Sequence, residues 1–136
     1  MSYTSEFSAI MTRFKSEWEG RLPVKWPNVY FEPAESGPDG WIYISVLNGE
    51  SLQVSMGGST NYFRHSGVIM AQIFGDAGSG VNTLYGHADA FSNIFRNKIF
   101  SGVHTGSPSV QNVGMDEATG KYQINVSVPF YRDEKF

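Results

Sequence analysis

The histidines and nearby aspartates are the residues of this sequence that could support metal binding or acid–base catalysis. His65, His87 and His104 carry imidazoles that titrate near neutrality and often bind metals, and Asp76 and Asp89 are candidate carboxylate partners. Their spacing argues against a shared site. His87 and Asp89 are two apart in a segment of helical periodicity and therefore point to different sides, while His65 and His104 fall in polar, glycine-rich stretches typical of loops. We therefore expect no metal, no cofactor and no catalytic residue.

Three glycines precede a predicted helix, a position where backbone amides can bind phosphate. Gly75, Gly78 and Gly80 have a spacing different from the dinucleotide-binding fingerprint, and no lysine follows them. The sequence also lacks the nucleophile elbow, the phosphate-binding loop of nucleotide hydrolases and the His-Glu-x-x-His zinc helix. We interpret the glycines as a loop that turns the chain, and the sequence predicts a protein that is not an enzyme.

The aromatic and cationic residues Tyr62, Phe63, Arg64 and His65 are the stronger candidates for function. They adjoin a glycine-rich connector, and aromatic residues with arginine are the types that anchor protein interfaces. The alternative is that Phe63 belongs to the core and its neighbours are ordinary strand-end residues. Because the twenty aromatic residues of the chain cannot all be buried in so small a domain, we expect some of them to contact a partner. The interface candidates are Tyr62, Phe63, Arg64 and His65, followed by Trp26 and Trp41.

Length and composition predict one globular domain spanning residues 1–136, with a mass of 15.1 kDa. The net charge of −3, the pI near 5.5 and the lack of a basic run argue against specific nucleic-acid binding. No cysteine is present, which excludes disulfides and thiol chemistry. No stretch approaches the ~18 apolar residues of a membrane span, so we expect a soluble intracellular protein.

The periodicity of apolar residues predicts two amphipathic helices and about five strands. Helical spacing marks residues 4–19 and 81–100, and Gly86 in the second helix predicts a close approach of helix to sheet. The pair Asn48-Gly49 predicts a hairpin turn between two of the strands. The order helix, three strands, helix, two strands predicts an α+β fold of two layers, with both helices on one face of a mostly antiparallel sheet. The predicted strands are 41–47, 52–56, 62–74, 109–115 and 122–131, with a further short piece at 28–31.

Together these segments resemble the tail-terminator-like proteins of long-tailed bacteriophages and prophages. The resemblance spans most of the chain and concerns residues of the fold rather than of a chemical site. It rests on the N-terminal helix, the connector Asn28-Val29-Tyr30-Phe31-Glu32-Pro33, Trp41 at the start of a strand, Arg64 with Gly67, Ile73-Phe74 before Gly78-Ser79-Gly80, the helix with Ala88, Phe91 and Phe95, and Gly120-x-Tyr122 with Val126, Val128 and Phe130.

The resemblance implies a structural protein that forms a ring, commonly of six copies, on the finished end of the tail tube. There it would end tube polymerisation and form the surface for head joining, with the tail tube protein and the head-completion proteins as partners. A ring of identical subunits needs two different complementary patches on each copy, and we expect the aromatic residues to supply one of them. The implied location is the host cytoplasm during assembly and then the virion tail.

Two other functions stay open on the sequence alone. A head-closure or tail-adaptor protein of a phage would share the small size and the ring but bind a different partner. A small ligand-binding or enzymatic domain of similar form has only the scattered histidines in its favour.

Overall fold

The computed structural model describes residues 2–29, 40–76, 80–116 and 120–135 of the chain. These residues form two α-helices and a mixed sheet of seven strands. Strands make up 48% and helices 26% of the structure, so the fold is mostly β. The elements in chain order are α1 (Tyr3–Trp18), β1 (Val24–Lys25), β2 (Trp41–Gln53), β3 (Tyr62–Asp76), α2 (Asn82–Phe95), β4 (Ile99–Phe100), β5 (Val103–Thr105), β6 (Ser109–Asp116) and β7 (Lys121–Lys135).

The predicted α+β class is therefore wrong, and the predicted number of about five strands is imprecise. Three strands, β1, β4 and β5, have only two or three residues, which is too few for an alternating pattern to reveal them. The sheet is also mixed, because β1 runs parallel to β2. The short strand predicted at 28–31 does not begin at Asn28, which takes a left-handed φ of 56°. Residues 30 and 31 of this predicted strand lie outside the described residues.

The first helix begins and ends close to where the sequence predicts. The Ser2 side chain accepts a hydrogen bond from the backbone N–H of Ser5 at 3.1 Å and so caps the start of α1. At the other end Glu19 and Gly20 have φ values of 56° and 70°, so the chain leaves the helix there. The predicted apolar stripe is buried at Ile10, Phe14 and Trp18.

The second helix is shorter than predicted and ends at Phe95. Asn97 takes a φ of 47°, and the chain then enters the hairpin of β4 and β5. Ser101 and Gly102 form the turn of this hairpin, and both have the positive φ that such a two-residue turn requires. The apolar residues Ile99 and Phe100 continued the helical spacing by coincidence, since they belong to β4.

The strands are ordered β1-β2-β3-β7-β5-β4, and β6 also pairs with β7. β3 and β7, each of fifteen residues, pair along their whole length from Tyr62↔Lys135 to Asp76↔Lys121 and form the centre of the sheet. β5 pairs with β7 near Tyr131, while β6 pairs with the earlier part of β7, so both lie on the side of β7 away from β3. Among the described strands, all pairings except β1 with β2 are antiparallel.

The hairpin turn predicted at Asn48-Gly49 is wrong. β2 continues through both residues and pairs with β3 on either side of an irregularity between Asn48 and Ser51. The chain reverses later, between Gln53 and Tyr62, where the N–H of Val54 donates to the Tyr62 carbonyl at 2.9 Å. The long β3 offers pairing positions as far as Phe63, and a bulge lets β2 follow it instead of turning.

Both helices pack on one face of the sheet. The buried residues on that face alternate along the three central strands, and α2 packs tightly against Gly75, where a Cβ would lie 2.7 Å from the Leu84 side chain. The prediction that Gly86 marks this approach is wrong, because a Cβ at Gly86 would have no atom within 4 Å. The sheet side of the core consists of Ile42, Ile44, Ile69, Ala71, Ile73, Val103, Ile124, Val126, Val128 and Phe130.

The opposite face, called here the open sheet face, carries the alternate residues of the same strands, such as Tyr43, Met70 and Tyr131. No helix covers it in the described part of the chain. Neither α1 nor α2, the helices within the described ranges, has the length and hydrophobicity needed to cross a membrane.

Candidate interaction surface

The residues from Tyr62 to His65 begin β3, and the pleat of the strand sends them alternately to the two faces of the sheet. Tyr62 and Arg64 lie on the open sheet face, where Tyr62 is 46% exposed and the Arg64 side chain 42% exposed. Phe63 and His65 share the face that meets the helices, and His65 is only 8% exposed. The structure thus brings Tyr62 and Arg64 together and separates them from the other two candidates.

Two interactions hold the Arg64 guanidinium in place on the open sheet face. Its Nε and Nη2 donate to the two carboxylate oxygens of Asp133 at 2.9 and 3.1 Å, the paired geometry that arginine forms with carboxylates. Its Cζ lies 4.1 Å from the ring centre of Tyr131. The hydrogen bond from Arg64 lowers the pKa of Asp133, and the same bond raises the pKa of Arg64. The Arg64 guanidinium is therefore partly exposed to solvent and held in one orientation.

Neighbouring strands extend this surface. The rings of Tyr131 on β7 and His104 on β5 stack with their centres 4.8 Å apart and their planes at 5°. Arg64, His104 and Tyr131 line a hollow of about 310 Å³ with Ser66 and Pro129. We call Tyr62, Arg64, His104 and Tyr131 the aromatic surface. Fixed aromatic rings next to an exposed arginine are typical of protein interfaces.

His65 belongs instead to a buried polar network at the start of α1. The Tyr3 hydroxyl and His65 Nδ1 are 3.2 Å apart, and His65 Nε2 lies 3.2 Å from Oε2 of Glu134. Arg132 donates from Nη1 to Glu134 and from Nε to Oε1 of Glu6, each at 2.8 Å. Burial raises the pKa of Glu6, while the hydrogen bond from Arg132 lowers the pKa of Glu134. The network joins α1 to β3 and β7.

Sequence reasoning missed Arg132, although the strand pattern contains the signal. The predicted alternation of the last strand stops at Tyr131, and one further step places position 132 on the buried face with Val128 and Phe130. Arg132 is 0% exposed, and a buried arginine requires a carboxylate partner. Its partners are Glu134, two residues further along the same strand face, and Glu6, at the far end of the chain, which no spacing rule connects to Arg132.

The two tryptophan candidates lie apart from one another. Trp26 packs edge-on against Phe14, with ring centres 5.7 Å apart, and borders a hollow of about 390 Å³ next to α1. Trp41 lies on the open sheet face, where it stacks on Phe74 with ring centres 4.7 Å apart. Trp41 therefore shares a face with the aromatic surface, and Trp26 does not.

The three histidines do not converge. His65 faces the helices, His104 lies on the open sheet face, and His87 lies on α2 with its ring centre 6.2 Å from that of Trp18. Within the described ranges, no three His, Asp or Glu side chains are placed to hold a metal. Of the glycines considered for phosphate binding, Gly75 is used for packing against Leu84, and Gly78 lies outside the described residues.

Two groups of exposed apolar side chains lie toward opposite edges of the sheet. The first is on β2 and the turn after it, where Leu47, Leu52 and Met56 are 53%, 57% and 93% exposed. The second is on β6, where Val110 and Met115 are 40% and 54% exposed. Contiguous exposed apolar patches are more common at protein interfaces than elsewhere on a protein surface.

Comparison with known proteins gives the family of the chain. A family model described as phage tail terminator protein matches residues 7–130. No curated protein matches the chain. One solved structure has a TM-score of 0.71 at 18% sequence identity, covering 98% of this chain and 96% of the other, so the two share a fold. Because the family match extends over most of the chain, the protein belongs to the phage tail terminator family and has a structural role in the phage tail.

Proposed function

We propose that the protein assembles as a ring, with six copies as the expected number, on the finished end of the tail tube. The ring ends tube polymerisation and forms the surface on which the head is joined. Its partners are the tail tube protein and the head-completion proteins, and it uses no cofactor. The protein acts in the host cytoplasm during assembly and stays in the virion tail. The family match over residues 7–130 is the observation that carries this proposal.

The distribution of exposed apolar side chains supports a ring. A closed ring of identical copies requires two different patches that complement each other. Leu47 and Leu52 on β2 and Val110 and Met115 on β6 lie toward opposite edges of one sheet, the first pair on the open sheet face and the second on the helix face. Neighbouring copies can therefore meet edge to edge, through two different edges of the sheet, while Tyr131 and His104 at the centre of the aromatic surface stay available to other proteins.

The interface candidates keep separate roles in this proposal. Tyr62 and Arg64, on the aromatic surface, contact a tail or head protein, and Trp41 extends this contact along the same face. His65 lies on the opposite side of β3 and supports the contact by holding the strand in place through the buried network. Phe63 lies at the start of β3 on the same side as His65. Trp26 lines a hollow beside α1 and is a secondary candidate.

Capping of tube growth is the direct test. Purified cognate tube protein is allowed to polymerise with and without this protein, at about one ring for each tube end, and tube lengths are measured by electron microscopy. We expect growth to stop in the presence of the protein, together with a particle mass six times 15.1 kDa by light scattering. Unchanged tube growth would contradict the proposal, and binding to the head connector alone would identify a head-closure or adaptor protein instead.

A further inference from the structure

Both side edges of the sheet present strands with an unpaired side. β1 pairs only with Ile42 and Tyr43, so β2 from Ile44 to Gln53 has no strand on its outer side in the described part of the chain. β6 is paired with β7 on one side, and no described strand lies on its other side. Unpaired backbone N–H and C=O groups along an edge are a template for another strand.

Natural edge strands are protected by lysines, by prolines, by bulges or by a covering element. Each edge has an irregularity, after Asn48 in β2 and after Asn112 in β6, but the regular segments before these points lack the other protections within the described residues. β6 contains no Lys, Arg or Pro, and its single charged residue is the terminal Asp116. The free part of β2 also lacks these residues and contains one charged residue, Glu50. Two edge segments that can accept another strand, on one small domain, indicate that the edges have a function.

The hydrogen bonds of β2 show which of its residues face outward. The N–H of Ile42 donates to the Pro23 carbonyl at 3.0 Å, on the outer side of the strand. Backbone groups alternate in direction along a strand, so those of Ile44, Val46 and Asn48 also face outward. The irregularity after Asn48 ends this regular segment.

The same reasoning applies to β6. The N–H of Gly106 donates to the Pro129 carbonyl at 2.8 Å, so the odd residues of β7 direct their backbone groups toward β5 and β6. Ser109 and Gln111 are paired with odd residues of β7 and bond to them. The backbone groups of Val110 and Asn112 therefore face outward, up to the irregularity between Asn112 and Gly114.

The two free segments also match in side-chain direction and in chain direction. Ile44 and Val46 point to the helix face, and so does Val110, which is paired with the buried Val126. β2 is antiparallel to β3, β3 to β7 and β7 to β6, so β6 runs opposite to β2. A second copy placed beside the first, with its helices on the same side, brings its β6 antiparallel to the free edge of β2.

We propose that residues 44–47 of one copy pair with residues 109–112 of the next, so that the sheet continues from copy to copy. Val46 then lies opposite Val110 in a hydrogen-bonded pair, and Leu47 lies opposite Ser109 on the open sheet face. The contact is head-to-tail and can repeat until a ring closes. This inference rests on the proposed ring, since it names the surfaces that form it.

Disulfide trapping tests this register, and the natural chain has no cysteine to interfere. Residues in a non-hydrogen-bonded antiparallel pair have Cα atoms about 4.5 Å apart, which a disulfide can bridge. The variants are Leu47→Cys/Ser109→Cys and, for a register shifted by two residues, Leu47→Cys/Gln111→Cys. The matched control, Leu47→Cys/Asp89→Cys, places its second cysteine on the exposed Asp89 position of α2. All are oxidised alone and in the presence of cognate tube protein.

We expect the Leu47→Cys/Ser109→Cys variant to give disulfide-linked oligomers up to the size of the ring, with the control at background. Linking through Leu47→Cys/Gln111→Cys alone would support the edge pairing but overturn the register of Val46 opposite Val110. If the protein caps tubes as a ring but neither edge pair links above the control, the edge pairing is overturned and the proposed function stands. If an edge pair links but tubes grow unchanged, the edge pairing is supported and the proposed function fails. Equal linking in all three variants also overturns the edge pairing.

A proline variant provides a second readout that does not depend on oxidation. The N–H of Val110 faces outward, so Val110→Pro removes no hydrogen bond within one copy, and edge strands accept proline at such positions. We expect a melting temperature close to that of the natural protein and a ring fraction lowered by about tenfold or more. Val110→Thr keeps the N–H and is the control. Unchanged ring formation by a folded Val110→Pro protein would overturn the inference.

Discussion

Nε of Arg132, near the end of β7, donates a hydrogen bond to Oε1 of Glu6 on α1 at 2.8 Å, although 126 residues separate the two in sequence. Both side chains are buried, with 0% and 3% exposed. The pair ties the first helix to the last strand. Arg132 is followed in β7 by Asp133, which holds Arg64 on the aromatic surface. The buried network and the exposed surface therefore share one stretch of β7.

Replacing Arg132 is expected to destabilise the fold strongly. Arg132→Met leaves Glu6 as a buried charge without its partner, and breaking a buried pair in this way typically costs about 3–5 kcal/mol. The double variant Glu6→Met/Arg132→Met removes both charges and should recover part of that loss. Urea unfolding of the three proteins measures the free energies. A double variant less stable than the single one would show that Glu6 does not depend on Arg132.

Gly86 offers a stabilising substitution. It lies in α2 without a positive φ, and a Cβ there would have no atom within 4 Å. Gly86→Ala should therefore raise the free energy of unfolding by about 0.5–1 kcal/mol through helix propensity. Gly75→Ala is the contrast, because its Cβ would lie 2.7 Å from the Leu84 side chain and should destabilise the protein. Thermal unfolding of both variants measures these changes in stability. A Gly86→Ala protein less stable than the natural one would contradict the open space around Gly86.

The sequence predicted the parts of this fold that depend on long regular patterns. The stripe from Ile10 to Trp18 and the alternation through Val126 and Val128 are both buried as expected, since several turns or several alternations leave a clear periodicity. The family resemblance is confirmed by the match over residues 7–130. The short strands could not be recognised: β1 and β5 depend on partners distant in the chain, and the hairpin of β4 and β5 is too short to show an alternating pattern.

The candidate surface was predictable only in part. Tyr62 and Arg64 were singled out by residue type, and they lie together on the open sheet face. Asp133, Tyr131 and His104 complete that surface through strand pairing across β3, β7 and β5, a register that no local pattern contains. The pleat of β3 separates His65 from Arg64, because neighbouring residues of a strand point to opposite faces of the sheet.

Thr105 is expected to hold the end of α2 to β5. Its buried hydroxyl donates to the Phe95 carbonyl and accepts the N–H of Lys98 at 2.8 Å. Thr105→Val has nearly the same shape but leaves both backbone groups without this partner, which should cost about 1–3 kcal/mol. Thr105→Ser keeps the hydroxyl and is the control. Urea unfolding measures both, and equal stability of the valine and natural proteins would show that the hydrogen bonds are dispensable.

The ion pair of Arg64 and Asp133 should contribute to stability in a pH-dependent way. Its hydrogen bond holds the pKa of Asp133 below the ordinary value of 3.8, so this contribution is present above that pH and is lost as the pH falls through the lowered pKa. Glu6 acts in the opposite direction, since burial raises its pKa and its ionised form is disfavoured in the folded protein. Glu6 is unchanged in Asp133→Asn, so a comparison of that variant with the natural protein isolates the Asp133 contribution.

The variant should be less stable than the natural protein near pH 6 and should lose less stability as the pH falls toward about pH 2. Free energies of unfolding measured in urea across this range provide the test. Glu134, whose pKa is also lowered, keeps some acid sensitivity in both proteins. Identical pH profiles would indicate that solvent screens the Arg64 pair completely.

Tyr62 should matter for assembly rather than for folding. Its ring is 46% exposed on the open sheet face and lies 5.7 Å from the Lys135 ammonium, so Tyr62→Ser removes surface area that a partner would cover. Phe7→Ser is a matched control, because Phe7 is 39% exposed on α1, away from the aromatic surface. We expect Tyr62→Ser to melt close to the natural protein yet to need about tenfold more protein to cap tubes, as loss of ~1.4 kcal/mol of contact implies. Capping by Tyr62→Ser at the natural concentration, with Phe7→Ser impaired instead, would move the contact from the open sheet face to α1.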